Sequence, residues 1–384
     1  MPNTPAFPNI FAPLNWQNDF FLVYQVLTTR SRLLKIGKAP PLSPKALYLH
    51  TTTWTGKPMR LVTPDDIRDL YLKAIQRGIP FILSKLSIRG SSRTRSSFNS
   101  TEYFTSNWWV IPSIRERWNY LITGSASTTY EEYVSNEIFG GNKPLRLVSI
   151  GSGVCSHEIR LAELNPRWEV TCIDFSSKLL RRAKEVADSK GLANISFQCK
   201  DIYRYSLPDS HFDIVLFHSS LHHFRHIDEF LRGKILPALK AGGHLIINEY
   251  VGPNRLQFGK NQLKAINRCL EIIDDPHKSI PGTNLTKRRF YGPGLIRMFL
   301  ADPSECVDSE SILPTIHKYF ETVIERPYGG NILMNVYKDI AHNFIESTTK
   351  NTLILEATFR FEDDYLLDHE SDFLFGVYRK KLTK

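Results

Sequence analysis

Between Leu145 and Glu249 short apolar runs alternate with helix-patterned stretches, and the residues able to do chemistry stand at the ends of the runs. The runs are Leu145 to Ile150, Glu169 to Ile173, Ile195 to Gln198, Ile214 to Phe217 and Leu245 to Asn248. The helical patterns are Ser156 to Leu164, Ser177 to Ser189 and Ile227 to Leu239. Alternation of this kind with short turns predicts an α/β fold, a doubly wound parallel sheet with right-handed crossovers.

In open parallel sheets ligands bind beyond the carboxyl ends of the strands. The first run leads into Gly151-Ser152-Gly153, where glycine lets the backbone approach a ligand and the following helix presents unpaired N–H groups. Asp174 ends the second run, 23 residues after Gly151, where a carboxylate can accept both hydroxyls of a ribose. Phosphate-cradling motifs fit less well. The sixth position of a G-x-G-x-x-G fingerprint is Ser156, and G-K-[ST] is absent. Asp201, 27 residues after Asp174, is suited to accept from an adenine amine. The set points to an adenosine without phosphate.

These segments carry a resemblance. LRLVSIGSGVCSHEIRLAE is similar to the glycine motif of the class I S-adenosylmethionine-dependent methyltransferases, VTCIDFSSKLLRRAKE to their ribose-binding loop, and FQCKDIYRYSLPDSHFDIVLFHSSLHHF to their adenine-binding stretch and fourth strand. ALKAGGHLIINEY resembles their fifth strand. The resemblance implies a Rossmann-like methyltransferase fold, with Thr322 to Glu325 and Phe373 to Tyr378 completing a seven-stranded, mostly parallel sheet with one antiparallel member. It implies S-adenosylmethionine as cofactor, held by Ser149, Gly151, Ser152, Gly153, Asp174, Phe175, Asp201, Ile202 and His218. The chain departs from the family twice: Ser149 replaces an acidic residue common two places before the first glycine, and Cys155 replaces a third glycine. Ribose contacts are therefore better supported than contacts to the methionine amine. EYVGPNRLQF, ADPSECVDSESILP, ERPYGGNIL and DIAHNF resemble bacterial methyltransferases of saccharide and natural-product assembly, which implies O-methylation of a small molecule.

Methyl transfer is an in-line displacement in which positioning supplies much of the acceleration, and a poorly acidic hydroxyl also needs a base. His222 and His223, which titrate near neutrality, and Glu249 at a strand end are the candidates. His218, His222 and His226 recur at four-residue spacing, but the stretch does not read as one helix, so no metal site is expected. Tyr250 and Tyr328 can offer hydrogen bonds or stacking to an acceptor. Arg289, with Lys287, Arg288, Tyr291 and Arg326, can clamp a phosphate or carboxylate on it.

The 384 residues carry a net charge of +10, all of it from the start: residues 1–100 hold 14 Lys and Arg against 4 Asp, and the remainder 35 against 35. Such a segment is either a solvated face or a surface for phosphate-bearing partners, including nucleic acid. Against a base amino-group methyltransferase, strand four ends in HSSLHHF and not in Asn/Asp-Pro-Pro-aromatic. A non-catalytic S-adenosylmethionine-binding scaffold is a third reading, suggested by Ser149 and Cys155. Five cysteines without CxxC pairs fit reduced thiols, with Cys155 near a helix N-terminus where a thiol pKa can fall. No long apolar run and no leader pattern in MPNTPAFPNIF are seen, which points to a cytoplasmic protein.

Three regions follow: a basic N-terminal extension of unknown role over 1–110, a methyltransferase domain over 111–384, and within it a cap insert over about 252–320. The extension is expected to hold a helix at Pro64 to Arg77 with Thr63 as N-cap, a strand-like run at Phe81 to Leu86 and a linker at Ser87 to Ser100. A helix is expected at Tyr130 to Ile138, with later helices at Gln257 to Ile273, Ser309 to Tyr319 and Leu333 to Phe344.

Overall fold

The computed structural model describes residues 50–51, 59–77, 107–140 and 143–381. A short antiparallel pair, β1 (His50–Thr51) and β2 (Met59–Arg60), precedes the main sheet. That sheet comprises β3 (Arg146–Ile150), β4 (Glu169–Asp174), β5 (Ile195–Cys199), β6 (Phe212–His218), β7 (Leu239–Tyr250), β8 (Phe320–Gly329) and β9 (Phe373–Lys380), in the order β5-β4-β3-β6-β7-β9-β8. Strands β3 to β7 pair in parallel, and β9 runs antiparallel to both neighbours. The seven-stranded, Rossmann-like sheet with one antiparallel member is the architecture expected. The order turns back on itself between β3 and β6, which opens a crevice at their carboxyl ends.

The strands form where side chains on both faces can be covered, so β3 is buried at four successive positions. Val148 and Ile150 point to one core cluster with Phe217 and Leu245, while Leu147 points to another with Tyr130, Cys172 and Val377. Helix Ser177–Ser189 lies against the sheet through Leu179, Leu180, Ala183 and Ala187, and Ser176 caps it by accepting from the Leu179 N–H.

Helices Ser156–Leu164 and Ser177–Ser189 span the expected residues. Helix Pro64–Arg77 does too, but the Thr63 hydroxyl donates to the Gly292 carbonyl while its N–H donates to Asp66. Two expected helices contain a wider turn: Tyr130–Tyr133 continues as a π-helix over Val134–Ile138, and Ile227–Phe230 as one over Leu231–Ile235. Leu239, expected to end the latter helix, opens β7 instead. The expected helices in the last third are also broken, into Lys260–Ile272, Ile312–Tyr319 and Leu333–Tyr337 with short 3-10 turns beside them. Phe81 to Leu86 and Ser87 to Ser100 lie outside the described residues.

The insert between β7 and β8 does not cover the sheet alone. Its helix Lys260–Ile272 packs in a third core with Leu72 and Trp108 from before the sheet and with Tyr337 and Leu355 from after β8. Three acids of helix Pro64–Arg77 fasten it: Asp65 accepts from the Tyr291 and Gly292 N–H groups, and Asp66 and Asp69 each lie 2.7 Å from the Arg297 guanidinium. Among the described residues no helix is long and apolar enough to cross a membrane.

Candidate active site

The turn after β3 is shaped by its glycines. Gly151 has φ +74°, and a Cβ there would stand 2.9 Å from the Ser220 Cβ at the end of β6. Gly153 has φ +56°, and its N–H donates to Asp174 Oδ2 at 3.0 Å. Asp174 Oδ1 accepts from the Ser176 N–H at 2.7 Å, so two backbone donors aim the carboxylate. Burial raises the Asp174 pKa, and these backbone bonds oppose the rise. Lys200 N–H donates to the Asp174 carbonyl and sets Asp201 beside the end of β4. Asp201 is exposed and accepts from the Tyr203 N–H; Phe175 is half-buried, and Ile202 is buried in the sheet core. A strand-end carboxylate fixed by backbone next to a cradle that a side chain would fill fits a ribose without phosphate.

Cys155, at the position of the family's third glycine, adopts the same left-handed conformation with φ 55°. An L side chain there costs about 1 kcal/mol. Its thiol is buried and donates to Ser152 Oγ at 3.3 Å, which is packing rather than an accessible nucleophile.

Across the crevice, β6 and β7 end together in the register His218 to Asn248. Glu249 is fully buried; its Oε1 accepts from the Ser220 N–H at 2.5 Å and the Leu221 N–H at 2.6 Å, and its Oε2 lies 2.7 Å from His222 Nδ1. Both oxygens are engaged within the protein, a geometry that suits orienting His222 better than taking a proton from an acceptor. A carboxylate at Nδ1 keeps the proton there and leaves the lone pair on Nε2, which points toward Glu305 at 3.8 Å. Burial pulls the His222 pKa down, but the charge and hydrogen bond of Glu249, with the charges of Glu305 and Asp302 adding to them, raise it above its ordinary 6.5. His223 Nδ1 lies 3.1 Å from Ser304 Oγ, and burial, with His222 next to it, lowers its pKa. The insert loop is tied over this pair by the Val307 N–H on the His222 carbonyl and by Arg255 on the carbonyls of Pro303 and Glu305.

On the other side of the glycine turn, His218 is stacked between Tyr130 and His157, at ring separations of 5.4 and 3.6 Å. His157 Nδ1 lies 2.5 Å from Glu131, and Ser149 donates to Glu158 at 2.6 Å. Burial pushes the His218 pKa well below 6.5 and keeps the ring neutral. Sequence reasoning missed Tyr130, Glu131, His157 and Glu158. The signal was there, because a buried serine in place of an acid asks which residue supplies the missing carboxylate.

Of the expected acceptor residues, Tyr250 and Tyr328 meet on the Phe373 ring, at 5.3 and 5.8 Å, and Arg289 stands apart. Tyr250 is buried, with its hydroxyl donating to the Pro253 carbonyl and its ring edge-on to His222 at 6.4 Å. Tyr328 is buried and donates to Asn248 at 2.6 Å. Arg289 is exposed beside helix Pro64–Arg77, where its carbonyl accepts from Arg68 and its guanidinium lies over Tyr291. Lys287 is fully buried, with its ammonium donating to the carbonyls of Asn335, Val336 and Lys338. His218, His222 and His226 do not share a helical face: they occupy a strand end, a 3-10 turn and a left-handed residue before a helix. Two other groups among the described residues have metal-ligand chemistry, His222 with Glu305 and Cys306, and His223 with Asp302 and Glu305.

Residues 142–291 match the family model of a methyltransferase domain. The chain is 28% identical over 130 residues to a demethylmenaquinone methyltransferase of Thermus thermophilus, covering 34% of this chain and 58% of that one. It is 21% identical over 159 residues to a malonyl-(acyl-carrier protein) O-methyltransferase of Bacillus anthracis, covering 41% and 54%. The chain thus spans a little over half the length of these curated relatives. Among solved structures, phosphoethanolamine N-methyltransferase 2 of Haemonchus contortus, in complex with S-adenosyl-L-methionine, aligns with a TM-score of 0.45 and 16% identity over 75% of this chain and 60% of that chain.

Proposed function

We propose that this chain, which belongs to the class I S-adenosylmethionine-dependent methyltransferases, methylates a hydroxyl oxygen of a small molecule, a saccharide or natural-product scaffold, with His222 as the general base. The observation that carries this reading is the buried Glu249–His222 pair beside the glycine turn. A nucleophile that is already neutral and reactive needs only positioning, whereas a hydroxyl gains from a base tuned near neutrality.

When bound, S-adenosylmethionine supplies an electrophilic methyl group. Asp174 and the Gly151 to Gly153 turn hold its adenosine, with Phe175, Asp201 and Ile202 around the adenine. His222 Nε2 would take the proton that the acceptor hydroxyl loses, Glu249 would stabilise the resulting imidazolium while holding the ring in its tautomer, and the donor's sulfur–methyl bond would break to leave a neutral thioether. The loop over residues 302–306 is tied over His222 by Arg255 and by the Val307 N–H, a covering that favours a small acceptor over a nucleic-acid duplex. Tyr250 supports the His222 ring from behind. Of the basic run in the cap, Lys287 is committed to carbonyls and Arg288 and Arg289 face solvent, so an acceptor phosphate or carboxylate is not part of this reading. The names of the two curated relatives, one for a quinone precursor and one for an acyl group, are in keeping with a small acceptor.

The test is an untargeted mass-spectrometric screen of metabolite pools incubated with the protein and donor. A product heavier by one methylene, absent with the His222→Gln variant, supports the proposal; a product formed equally by that variant refutes the role of His222.

A further inference from the structure

We propose that Glu158 receives the α-ammonium of the donor's methionine arm, replacing the acidic residue that position 149 lacks. This rests on the S-adenosylmethionine reading of the site.

Ser149 lies on β3 with its side chain on the same face as Leu147, toward the cluster that contains Tyr130 and Ile159. It is fully buried and too short to carry a charge to a ligand. Glu158, in the first turn of the helix after the glycine loop, reaches back across that loop and accepts the Ser149 hydroxyl at 2.6 Å. The carboxylate therefore arrives where the side chain of residue 149 ends. A serine and a glutamate nine positions apart together do what one aspartate on the strand would do.

The surroundings call for a cation. Glu131 and Glu158 are both buried, at 6% and 2% exposure, and the imidazole between them in sequence, His157, is bonded to Glu131. That bond leaves Glu158 with the Ser149 hydroxyl as its side-chain partner, and a buried carboxylate without a cation is costly to ionise. His218 stays neutral and does not offset it. Burial raises the Glu158 pKa, with the charge of His157 and the Ser149 bond opposing the rise.

A second observation is independent of the charge. The Tyr130 hydroxyl, on a side chain 6% exposed, and Nδ1 of His218, stacked on the Tyr130 ring, are shielded from solvent and have no hydrogen-bond partner. Buried polar atoms are nearly always paired, so unpaired ones beside a ligand turn mark atoms that await a polar ligand. An amino-acid arm suits the set: its ammonium has three donors for carboxylates and its carboxylate can accept from a phenol.

The experiment is calorimetric titration of the full chain with S-adenosylmethionine and with 5′-methylthioadenosine, which keeps the adenosine and sulfur but lacks the amino-acid arm. Glu158→Gln is expected to weaken S-adenosylmethionine by about 10- to 100-fold and leave methylthioadenosine unchanged. Ser149→Asp combined with Glu158→Ser returns the carboxylate to the strand and is expected to recover most of the loss, which also guards against a variant that simply misfolds. Equal weakening of both ligands, or no weakening of either, overturns the Glu158 assignment alone. Binding of neither ligand by the unsubstituted chain overturns the donor reading and this inference with it.

Discussion

Glu249 Oε2 lies 2.7 Å from His222 Nδ1 while Glu249 Oε1 accepts two backbone N–H groups of the turn that carries His222. One buried carboxylate therefore fixes the turn, the tautomer and the charge of the ring. Replacing His222 by Gln is expected to slow methyl transfer by about 10²- to 10⁴-fold with donor affinity nearly unchanged, as measured by single-turnover kinetics and calorimetry.

The same pair sets a pH dependence. The proposed base, His222, can accept a proton only when neutral, and its pKa is raised from 6.5, so the rate should climb with pH through a midpoint above that value. Glu249→Gln removes the largest of the charges that raise it, leaving those of Glu305 and Asp302, and should move this midpoint to lower pH. A pH–rate profile of the two proteins checks it; an unmoved midpoint would separate Glu249 from the titrating group.

Asp174→Ala should weaken S-adenosylmethionine by about 1.5 to 3 kcal/mol, because the ribose hydroxyls lose a charged acceptor. Gly151→Val should abolish binding by a different route, since a side chain there meets Ser220. Calorimetry of both variants, with circular dichroism to verify folding, is the check.

Asp372, just before β9, gives a stability prediction. Burial raises its pKa from 3.8 to about 7, Gln262 opposing and Glu362 adding to the rise. The folded state then holds a proton that the unfolded chain has lost, so this contribution is full below about pH 4 and is lost as pH rises toward 7. Asp372→Asn should remove this slope and stabilise the protein above pH 7 relative to the unsubstituted chain, with the gap closing near pH 4. Urea melts across that range measure it.

Lys287→Met should destabilise the fold by about 3 kcal/mol, because three carbonyls at the end of helix Leu333–Tyr337 lose their donor in a buried setting. The loss would appear as a lower urea midpoint.

The sheet was legible because β6 and β7 carry contiguous apolar runs, and β3 and β4 runs interrupted only by Ser149 and Thr171, each bounded by turn residues. Helix Thr349–Leu366, the longest described, was not: its buried face is Asn351, Ile354, Leu355, Thr358 and Glu362, so three of five inward positions are polar and the apolar period disappears. Glu362 faces inward because it accepts the N–H groups of Ile332 and Leu333, distant in sequence. Helix Leu295–Ala301 escaped because it is short and leaves Ile296 and Phe299 exposed beside its buried Leu295 and Met298, so no apolar period shows. At the site, Gly151 and Asp174 could be read from spacing along one β-α-β unit. His222 and Glu249 were visible as residues but not as a pair, since the ends of β6 and β7 meet only once the strands are in register. The bond between Ser149 and Glu158 crosses the glycine turn, and the serine in place of an acid was its one trace in the sequence.

The most direct measurement is incubation of the protein with metabolite extract and S-adenosylmethionine bearing a trideuterated methyl group, followed by mass spectrometry of small molecules and of nucleic acid. The label is expected on an oxygen of a small molecule, formed by the unsubstituted chain and lost with His222→Gln. Label found in nucleic acid instead, or no transfer to any acceptor although the donor binds, would contradict it.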